Sequence, residues 1–322
     1  MAKVFASQRL PGDALERLGL HCELEVWPEP TPIPPGVLAE RLQGCVGLVC
    51  LLTNRVGRDL LAACPDLRFV SSMSVGVDHV AVAALTERRI PLGNTPGVLA
   101  DTTADLNMAL LLAAARRIPE ADRYVRDGCW KPERPWYPGM FVGKDISGAT
   151  LGIVGLGEIG QAVARRARGF GMRLLGWTRS GRAVEGVESV SLEAVLAQSD
   201  FVSVNVALSK DTRMLIDAEA IAGMKPGAVL VNTARGGIVD EQALAQALQS
   251  GALFAAGIDV FEREPVLMDN PLLQLPNVVV APHIGSASQR TREQMAALAV
   301  DNMIAALRGE RMPHCVNPEV FD

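Results

Sequence analysis

Residues 150–180 read TLGIVGLGEIGQAVARRARGFGMRLLGWTRS, which predicts a buried strand, a glycine turn, a helix and a second strand. In the turn, Gly155 permits a tight bend, Gly157 lets the backbone approach a pyrophosphate, and Gly160 lets the helix pack closely on the strand. An anion is favoured at the N-terminus of that helix by unpaired N–H groups and the helix dipole. Because a strand and a helix flank the glycines, the segment predicts a dinucleotide-binding βαβ unit.

The length and composition predict two globular domains. A chain of 322 residues exceeds what one compact core usually fills. No apolar run approaches the roughly 18 residues that a membrane span needs, so we expect no membrane partner. The N-terminal MAKVFASQRLPGD lacks the apolar core of a signal peptide, which favours a cytoplasmic location.

The charged residues and cysteines exclude two further classes of protein. The net charge is −5 and the basic residues are scattered, which argues against a nucleic-acid partner. The six cysteines fall at irregular spacings without a CxxC pair, so we expect reduced, mostly buried thiols rather than disulfides or a metal site.

The first hundred residues alternate strands and helices of their own. The proline-rich residues 28–36 form a predicted connecting loop. Helices are predicted at residues 36–42 and 58–63. The predicted strands span residues 3–7, 23–27, 46–52 and 67–73, with a short one near Pro91. This alternation predicts a small parallel α/β domain.

A long apolar helix and an aromatic excursion follow. The helix DTTADLNMALLLAAARRI begins at Asp101, with Asp101 or Thr102 as the expected N-cap. It is apolar nearly all round, so we expect it to be buried, in part against a second subunit. The stretch CWKPERPWYPGMFVG after it predicts an extended excursion.

A second run of six strands begins at the glycine turn. The predicted strands span residues 150–154, 173–177, 200–205, 228–232, 253–259 and 277–281. A last helix, 291–307, has no strand after it, so we expect it to return to the first domain. The predicted fold is therefore α/β, with two doubly wound parallel sheets: a Rossmann cofactor domain (99–287) inserted into a flavodoxin-like substrate domain (1–98 and 288–322).

The end of the second Rossmann strand predicts which dinucleotide is bound. An acidic residue there would hydrogen-bond the ribose of NAD and repel a 2′-phosphate. This chain has Thr178, Arg179 and Ser180 instead, with Arg182 close by. Since arginine and hydroxyl groups bind phosphate, we expect NADPH, with NADH as a weaker alternative.

Three charged or titratable residues each follow a predicted strand. Arg235 lies in VNTARGGIVD, Glu264 in GIDVFEREP and His283 in APHIGSAS. The arginine suits a substrate carboxylate and carbonyl, and the histidine suits proton transfer near neutral pH. Glu264 would hold the imidazole in one tautomer. We therefore predict a catalytic set of Arg235, Glu264 and His283. The other histidines, His21, His79 and His314, are assigned structural roles.

These segments resemble those of the D-2-hydroxyacid dehydrogenases over essentially the whole chain. The family's glycine turn, Asn-x-x-Arg-Gly loop, later Glu and Pro-His-x-x-Gly are matched by residues 155–160, 232–236, Glu264 and 282–285. MSVGVDHV, DTTAD, PHIGSAS and RGERMP are similar to stretches of its glyoxylate/hydroxypyruvate reductases. Two departures are the shorter carboxylate of Asp105 and a longer excursion between Gly128 and Gly143. The second puts substrate selectivity in question more than reaction type.

The resemblance implies further contacts. Backbone N–H groups of Val75 and Gly76 bind the substrate carboxylate together with Arg235, and Asp259 and the Thr233 loop position the nicotinamide. Trp130 or Trp136 reaches the active site of the neighbouring subunit in a homodimer formed through the cofactor domain. The substrate contacts expected on this basis are Val75, Gly76, Trp136, Arg235, His283, Gly285 and Ser286. The expected cofactor contacts are Thr103, Gly155, Leu156, Gly157, Glu158, Ile159, Gly160, Thr178, Arg179, Ser180, Arg182, Ala207, Thr212, Thr233, Ala234, Arg235, Asp259, His283 and Gly285.

The resulting hypothesis is an NADPH-preferring reductase that converts glyoxylate to glycolate and hydroxypyruvate to D-glycerate. One alternative is a reductase of another 2-keto acid, such as 2-ketogluconate, or an enzyme acting on a phosphorylated hydroxy acid. Another is a dinucleotide-sensing interaction protein resembling the co-repressors of this fold. The intact Arg235, Glu264 and His283 favour an enzyme.

Overall fold

The computed structural model describes residues 1–322. The chain divides into two compact units, one formed by Met1–Leu99 with Ala287–Asp322 and one by Ala100–Ser286. None of its helices combines the length and the apolar character that a membrane crossing requires.

The first unit contains a five-stranded parallel sheet. Its strand order is β2-β1-β3-β4-β5, the flavodoxin-like order that the sequence predicts. The strands are β1 (Lys3–Ala6), β2 (Glu23–Val26), β3 (Gly47–Cys50), β4 (Phe69–Ser72) and β5 (Leu92–Gly93). The helices that alternate with them are α1 (Ala14–Gly19), α2 (Pro35–Arg41), α3 (Arg58–Ala63) and α4 (Val82–Glu87). The proline-rich loop ends where α2 begins, with Pro34 at the N-cap.

The second unit contains a seven-stranded parallel sheet, ordered β12-β11-β10-β9-β6-β7-β8. Its strands are β6 (Thr150–Val154), β7 (Arg173–Trp177), β8 (Glu188–Ser189), β9 (Phe201–Val204), β10 (Val229–Asn232), β11 (Ala255–Ile258) and β12 (Val278–Val280). Its helices are α5 (Ala100–Ala115), α6 (Ile118–Arg126), α7 (Glu158–Arg168), α8 (Leu192–Gln198), α9 (Ala218–Ala222) and α10 (Glu241–Gln249). The doubly wound Rossmann order is confirmed, because the strand order reverses at β6. The sequence predicted six strands and missed β8, an edge strand of two exposed residues that carries no apolar signal.

Helix α5 differs from its prediction in two respects. It begins at Ala100, so Asp101 and Thr102 lie within the first turn and the predicted N-cap is wrong. Its exposure is also one-sided. Ala104, Leu111 and other small or apolar side chains lie in the core, whereas Asp101 and Asp105 are exposed. Both carboxylates pair with Arg166 of α7, so this face carries ion pairs rather than apolar contacts.

The last helix, α11 (Gln289–Leu307), packs within the first unit. Its buried side chains, among them Ala299 and Met303, share a core with Val4 of β1 and Val49 of β3. Ser71 of β4 donates a 2.7 Å hydrogen bond to the carbonyl of Ala299. The first sheet is therefore covered on this face by the C-terminal part of the chain.

Candidate active site

The candidate site residues of the second unit lie in the loops at the carboxyl edge of its sheet. Parallel strands end at the same edge, which is where open α/β sheets bind ligands. The glycine turn follows β6, and the residues around Arg179 follow β7. The loop carrying Arg235 follows β10, that of Glu264 follows β11, and that of His283 follows β12.

The glycine turn requires glycine at two of its three predicted positions and leaves the third, Gly157, with open surroundings. Gly155 has φ +99°, and a side chain there would lie within 2.9 Å of the backbone of Asn205 and Val206. A Cβ on Gly160 would overlap the Gly155 carbonyl oxygen, so close packing of α7 requires glycine. Gly157 is the N-cap of α7, and a Cβ added to it would meet no other atom within 4 Å, so its surroundings are open. Open space beside the unpaired N–H groups of a helix N-terminus fits a pyrophosphate.

The segment after β7 presents one arginine in an ion pair and one hydroxyl group buried. The Arg179 guanidinium lies 3.0 Å from the Asp211 carboxylate, and both side chains are exposed. Ser180 and Arg182 are exposed as well. The Thr178 hydroxyl, by contrast, is buried and has no hydrogen-bond partner in the protein. Of the two hydroxyl groups that the sequence assigns to a 2′-phosphate, the structure therefore places only that of Ser180 at the surface.

Asn232 shapes the loop that carries Arg235. Its side-chain oxygen accepts the N–H of Ala234 at 3.0 Å, and its side-chain nitrogen donates to the Arg235 carbonyl at 2.9 Å. Asn232 is almost fully buried at the end of β10. The two hydrogen bonds from buried Asn232 therefore fix the backbone of the loop. The Arg235 residue itself is half-buried.

Buried polar residues that the sequence did not single out support the same loop. Asn107 of α5 donates to the Thr233 hydroxyl at 2.9 Å and accepts from the Ser203 hydroxyl at 3.0 Å. Asn205 donates to Ser203 at 2.9 Å. The sequence signal for this support was Asn107 within the otherwise apolar α5, since a buried polar side chain requires hydrogen-bond partners.

Glu264 and His283 form a direct hydrogen bond. Their Oε2 and Nδ1 atoms are 2.7 Å apart, and the side chains are 30% and 24% exposed. The Phe261 N–H donates to the other Glu264 oxygen at 3.0 Å, so both carboxylate oxygens are engaged. The bond orients the imidazole through Nδ1 and leaves Nε2 as the nitrogen for a substrate oxygen.

The environment of Glu264 favours its ionised form. Burial raises the pKa of the carboxyl group. Hydrogen bonds from His283 and Phe261, with the positive charges of His283 and Arg235, outweigh burial, so the pKa of Glu264 lies below its usual value. An ionised Glu264 is the acceptor that an Nδ1–H of His283 requires.

Asp259 anchors the loop that carries His283. Its buried carboxylate accepts the N–H groups of Ile284 at 2.7 Å and Gly285 at 2.9 Å. Its carbonyl accepts the N–H of His283 at 2.8 Å. Burial raises the pKa of Asp259, and the two N–H groups and the charge of His283 only partly offset that effect. The backbone of His283 has φ +55°, a conformation that this anchoring sustains.

The remaining predicted residues differ in their burial and in the unit to which they belong. Leu156 is buried, Ile159 is partly buried against the core, and Glu158 is exposed in the first turn of α7. The Thr212 hydroxyl closes its own loop by donating to the Ala207 carbonyl at 2.6 Å. Thr103 lies against Gly285.

The residues predicted to contact the substrate lie in both units. Trp130 and Trp136 are 58% and 71% exposed in the excursion after α6, and Ser286 is the last residue of the second unit. Val75 and Gly76 belong to the first unit, in the loop after β4.

Comparison with known proteins gives consistent matches. The family model described as "D-isomer specific 2-hydroxyacid dehydrogenase, NAD binding domain" matches residues 108–285. A glyoxylate reductase from Korarchaeum cryptofilum is 48% identical, over 99% of this chain and 96% of the relative. A crystal structure of a Thermus thermophilus protein is 44% identical with a TM-score of 0.91, covering 98% of this chain and 99% of that one. The structure of an NADPH-dependent glyoxylate/hydroxypyruvate reductase from Sinorhizobium meliloti with NADP and malonate is 32% identical. Its TM-score is 0.87, and the match covers 98% of this chain and 97% of that one.

Proposed function

Because the chain belongs to the D-isomer specific 2-hydroxyacid dehydrogenase family and is an NAD(P)-dependent enzyme, we propose that it reduces small 2-keto acids. The proposed reactions are glyoxylate to glycolate and hydroxypyruvate to D-glycerate, with NADPH preferred over NADH. Relatives named glyoxylate reductase, of which this chain covers almost the full length, support this choice of substrate class.

The observation that carries the proposal is the Glu264–His283 hydrogen bond of 2.7 Å at the sheet edge to which the Arg235 loop also belongs. His283 protonates the developing alkoxide through Nε2, and Glu264 holds the ring and stabilises its charged form. Arg235 binds the carboxylate and polarises the carbonyl group. The reduced nicotinamide supplies the hydride.

The dinucleotide is held by residues of the second unit. Gly157 and the first turn of α7 take the pyrophosphate, since no protein atom fills that space. Arg179, Ser180 and Arg182 take the 2′-phosphate, because no acidic residue stands at the end of β7, where it would bind the ribose of NAD. Thr178 contributes through its backbone, since its hydroxyl is buried.

The substrate contacts and the assembly complete the proposal. Val75, Gly76, Gly285 and Ser286 are the further proposed contacts of the keto acid. The chain forms a homodimer through the cofactor unit, and Trp136 of one subunit serves the other. Large apolar side chains are exposed on α6 and in the excursion after it, as a contact surface requires: Ile118, Val125, Trp130, Trp136, Tyr137 and Val142.

One assay tests the function. Oxidation of NADPH and NADH is followed against glyoxylate, hydroxypyruvate, pyruvate and 2-ketogluconate. We expect the highest kcat/KM for glyoxylate and hydroxypyruvate with NADPH, and D-glycerate as the product of the latter. The control is His283→Ala, which should bind NADPH normally and turn over about 10² to 10⁴ times more slowly. Highest kcat/KM with 2-ketogluconate, or no oxidation with any acid, would reject the proposal.

A further inference from the structure

The loop after β4 in the first unit has its carbonyl groups bonded and its N–H groups free. The Ser74 carbonyl accepts the N–H of Thr95 at 2.9 Å, and the Val75 carbonyl accepts the side chain of Asn94 at 3.0 Å. The Gly76 carbonyl accepts the Ser74 hydroxyl at 2.8 Å. The N–H groups of Val75 and Gly76 donate to no protein group. Adjacent unpaired N–H groups in an exposed loop bind an anion such as a carboxylate.

A chain of hydrogen bonds continues behind Ser74. The Ser74 and Ser72 hydroxyl oxygens are 2.7 Å apart, and the Ser72 hydroxyl lies 3.0 Å from His79 Nε2. Both serines are buried, at 0% and 4% exposure for Ser72 and Ser74. The loop is thus tied to the interior of its unit through side chains.

Proton counting fixes the direction of this chain. A carbonyl only accepts, so the single hydroxyl proton of Ser74 is donated to Gly76. Ser72 must then donate to Ser74, and His79 must donate to Ser72 through Nε2–H. The Cys50 thiol is a further hydrogen-bond partner of Ser72 within the same buried cluster. These hydrogen bonds tie the Gly76 peptide group to buried side chains, which favours a single loop conformation.

We propose that Ser74 is a positioning residue for the substrate carboxylate. Its hydroxyl, oriented by Ser72 and His79, fixes the peptide groups of Val75 and Gly76 so that their N–H groups are available to a 2-keto acid. The inference rests on the proposed function for the substrate class, and it gives His79 a part beyond the purely structural one expected from the sequence. Asn302 of α11 extends the support by donating to the Asn94 carbonyl at 2.9 Å.

Ser74→Ala tests the proposal against a matched control. Ser71→Ala removes a buried serine one strand position before Ser72, whose hydroxyl donates at 2.7 Å to the Ala299 carbonyl rather than to the loop. We expect Ser74→Ala to raise the KM for glyoxylate by about 3- to 10-fold, from the usual free energy of one hydrogen bond. The kcat and the KM for NADPH should stay within about twofold, as should all three constants of Ser71→Ala. Ser74→Thr keeps the hydroxyl and should restore the KM.

The outcomes separate this inference from the proposed function. Equal KM values for Ser74→Ala and Ser71→Ala would overturn the positioning role, as would a fall in kcat without a change in KM. A wild-type enzyme that reduces neither glyoxylate nor hydroxypyruvate would overturn the proposed function, and the KM comparison would then use the keto acid that it does reduce. Should Ser74→Ala not fold, Ser72→Ala breaks the chain one step earlier and must raise the same KM. An unchanged KM there rejects the proposal.

Discussion

At the scale of single residues, the hydrogen bond between Glu264 and His283 depends on which groups are ionised. The lowered pKa of Glu264 keeps its carboxylate charged across the neutral range. A group with a depressed pKa in the folded state contributes stability above its unfolded pKa and loses that contribution as the pH falls through its folded pKa. The contribution of Glu264 is therefore present above about pH 4.5 and is lost at lower pH.

Glu264→Gln should lower kcat by about 10- to 100-fold, because a charge-assisted hydrogen bond is worth about 1.5–3 kcal/mol. The fall of reductase activity at acid pH that follows protonation of Glu264 should be absent in the variant, since the amide does not titrate. The loss of unfolding free energy should be larger at pH 7 than at pH 3.5. Steady-state kinetics across pH and denaturant titrations at these two pH values measure the effects.

The control for this substitution is Glu262→Gln, an exposed neighbour whose carboxylate lies 3.6 Å from Arg213. Identical pH profiles for the wild type and both variants would remove Glu264 from the acid–base pair.

Asp211→Asn should increase the preference for NADPH. The Asp211 carboxylate lies 3.0 Å from Arg179 and would compete there with the proposed 2′-phosphate. Exposed ion pairs are worth about 0.2–1 kcal/mol, so the KM for NADPH should fall by about 1.5- to 5-fold while that for NADH changes little. The matched control is Glu87→Gln, which breaks the exposed pair with Arg58 in the first unit. A KM for NADPH that rises in Asp211→Asn would mean that Asp211 orients Arg179 rather than competing for it.

The sequence predicted those residues of the candidate site that directly follow a strand. Glu264 and His283 each follow a strand of an apolar parallel sheet, and parallel strands bring their ends to one edge. The burial of the Thr178 hydroxyl and the hydrogen bonds of Asn107 could not be predicted in this way. They depend on how α5 and the segment after β7 pack in three dimensions, which no local pattern encodes.

At the scale of elements, two glycines at the junction of β6 and α7 have different expected roles. Gly157 is expected to serve cofactor binding, and Gly160 is expected to serve the packing of the fold. Gly157→Ala should leave the melting temperature of the cofactor-free protein nearly unchanged, because the position is open and its φ of −68° suits alanine. It should weaken NADPH binding by about tenfold or more if the pyrophosphate occupies that space. Gly160→Ala should destabilise the fold by about 1–3 kcal/mol, because its Cβ overlaps the Gly155 carbonyl.

Thermal unfolding and NADPH titration of the two variants give the comparison. A Gly157→Ala protein with wild-type NADPH affinity would contradict the proposed pyrophosphate site, whatever the behaviour of Gly160→Ala.

Element prediction succeeded for long apolar strands and was least accurate at ends and edges. β6 and β7 have the predicted bounds because each contains a run of at least four apolar or small residues that is bounded by turns or loops. β8 has no such pattern, and its place depends on pairing with β7. The predicted N-cap of α5 lies too late in the sequence. The helix begins at Ala100, so Asp101 and Thr102 are already helical and neither can be the N-cap.

At the scale of the whole molecule, the buried cysteines all lie in the first unit and can be used to follow its unfolding. Cys22, Cys45, Cys50 and Cys64 are buried, and all four lie in the first unit. Burial raises the pKa of Cys22 to about 11 and that of Cys50 to about 12, so their reactive thiolates are scarce at neutral pH. Cys129, in the second unit, is partly exposed.

Iodoacetamide at pH 8 should therefore modify Cys129 in the folded protein and spare the four buried thiols. In a urea series these four should become reactive together, as the first unit opens cooperatively. Mass spectrometry of the alkylated peptides follows each site, and a fully unfolded sample is the reference. Modification of Cys22 or Cys50 at the rate of Cys129 without urea would contradict the observed burial.

The placement of α11 also fixes the order in which a nascent chain can finish its two units. Residues 1–99 leave the ribosome first, but the core around Val4 and Val49 stays incomplete until Ala299 and Met303 have been made. The second unit, continuous from Ala100 to Ser286, is complete earlier. At about 5–20 residues per second, the first segment waits for ten seconds or more with apolar surface uncovered. Residues 1–99 therefore present uncovered apolar surface to chaperones and proteases until α11 has been synthesised.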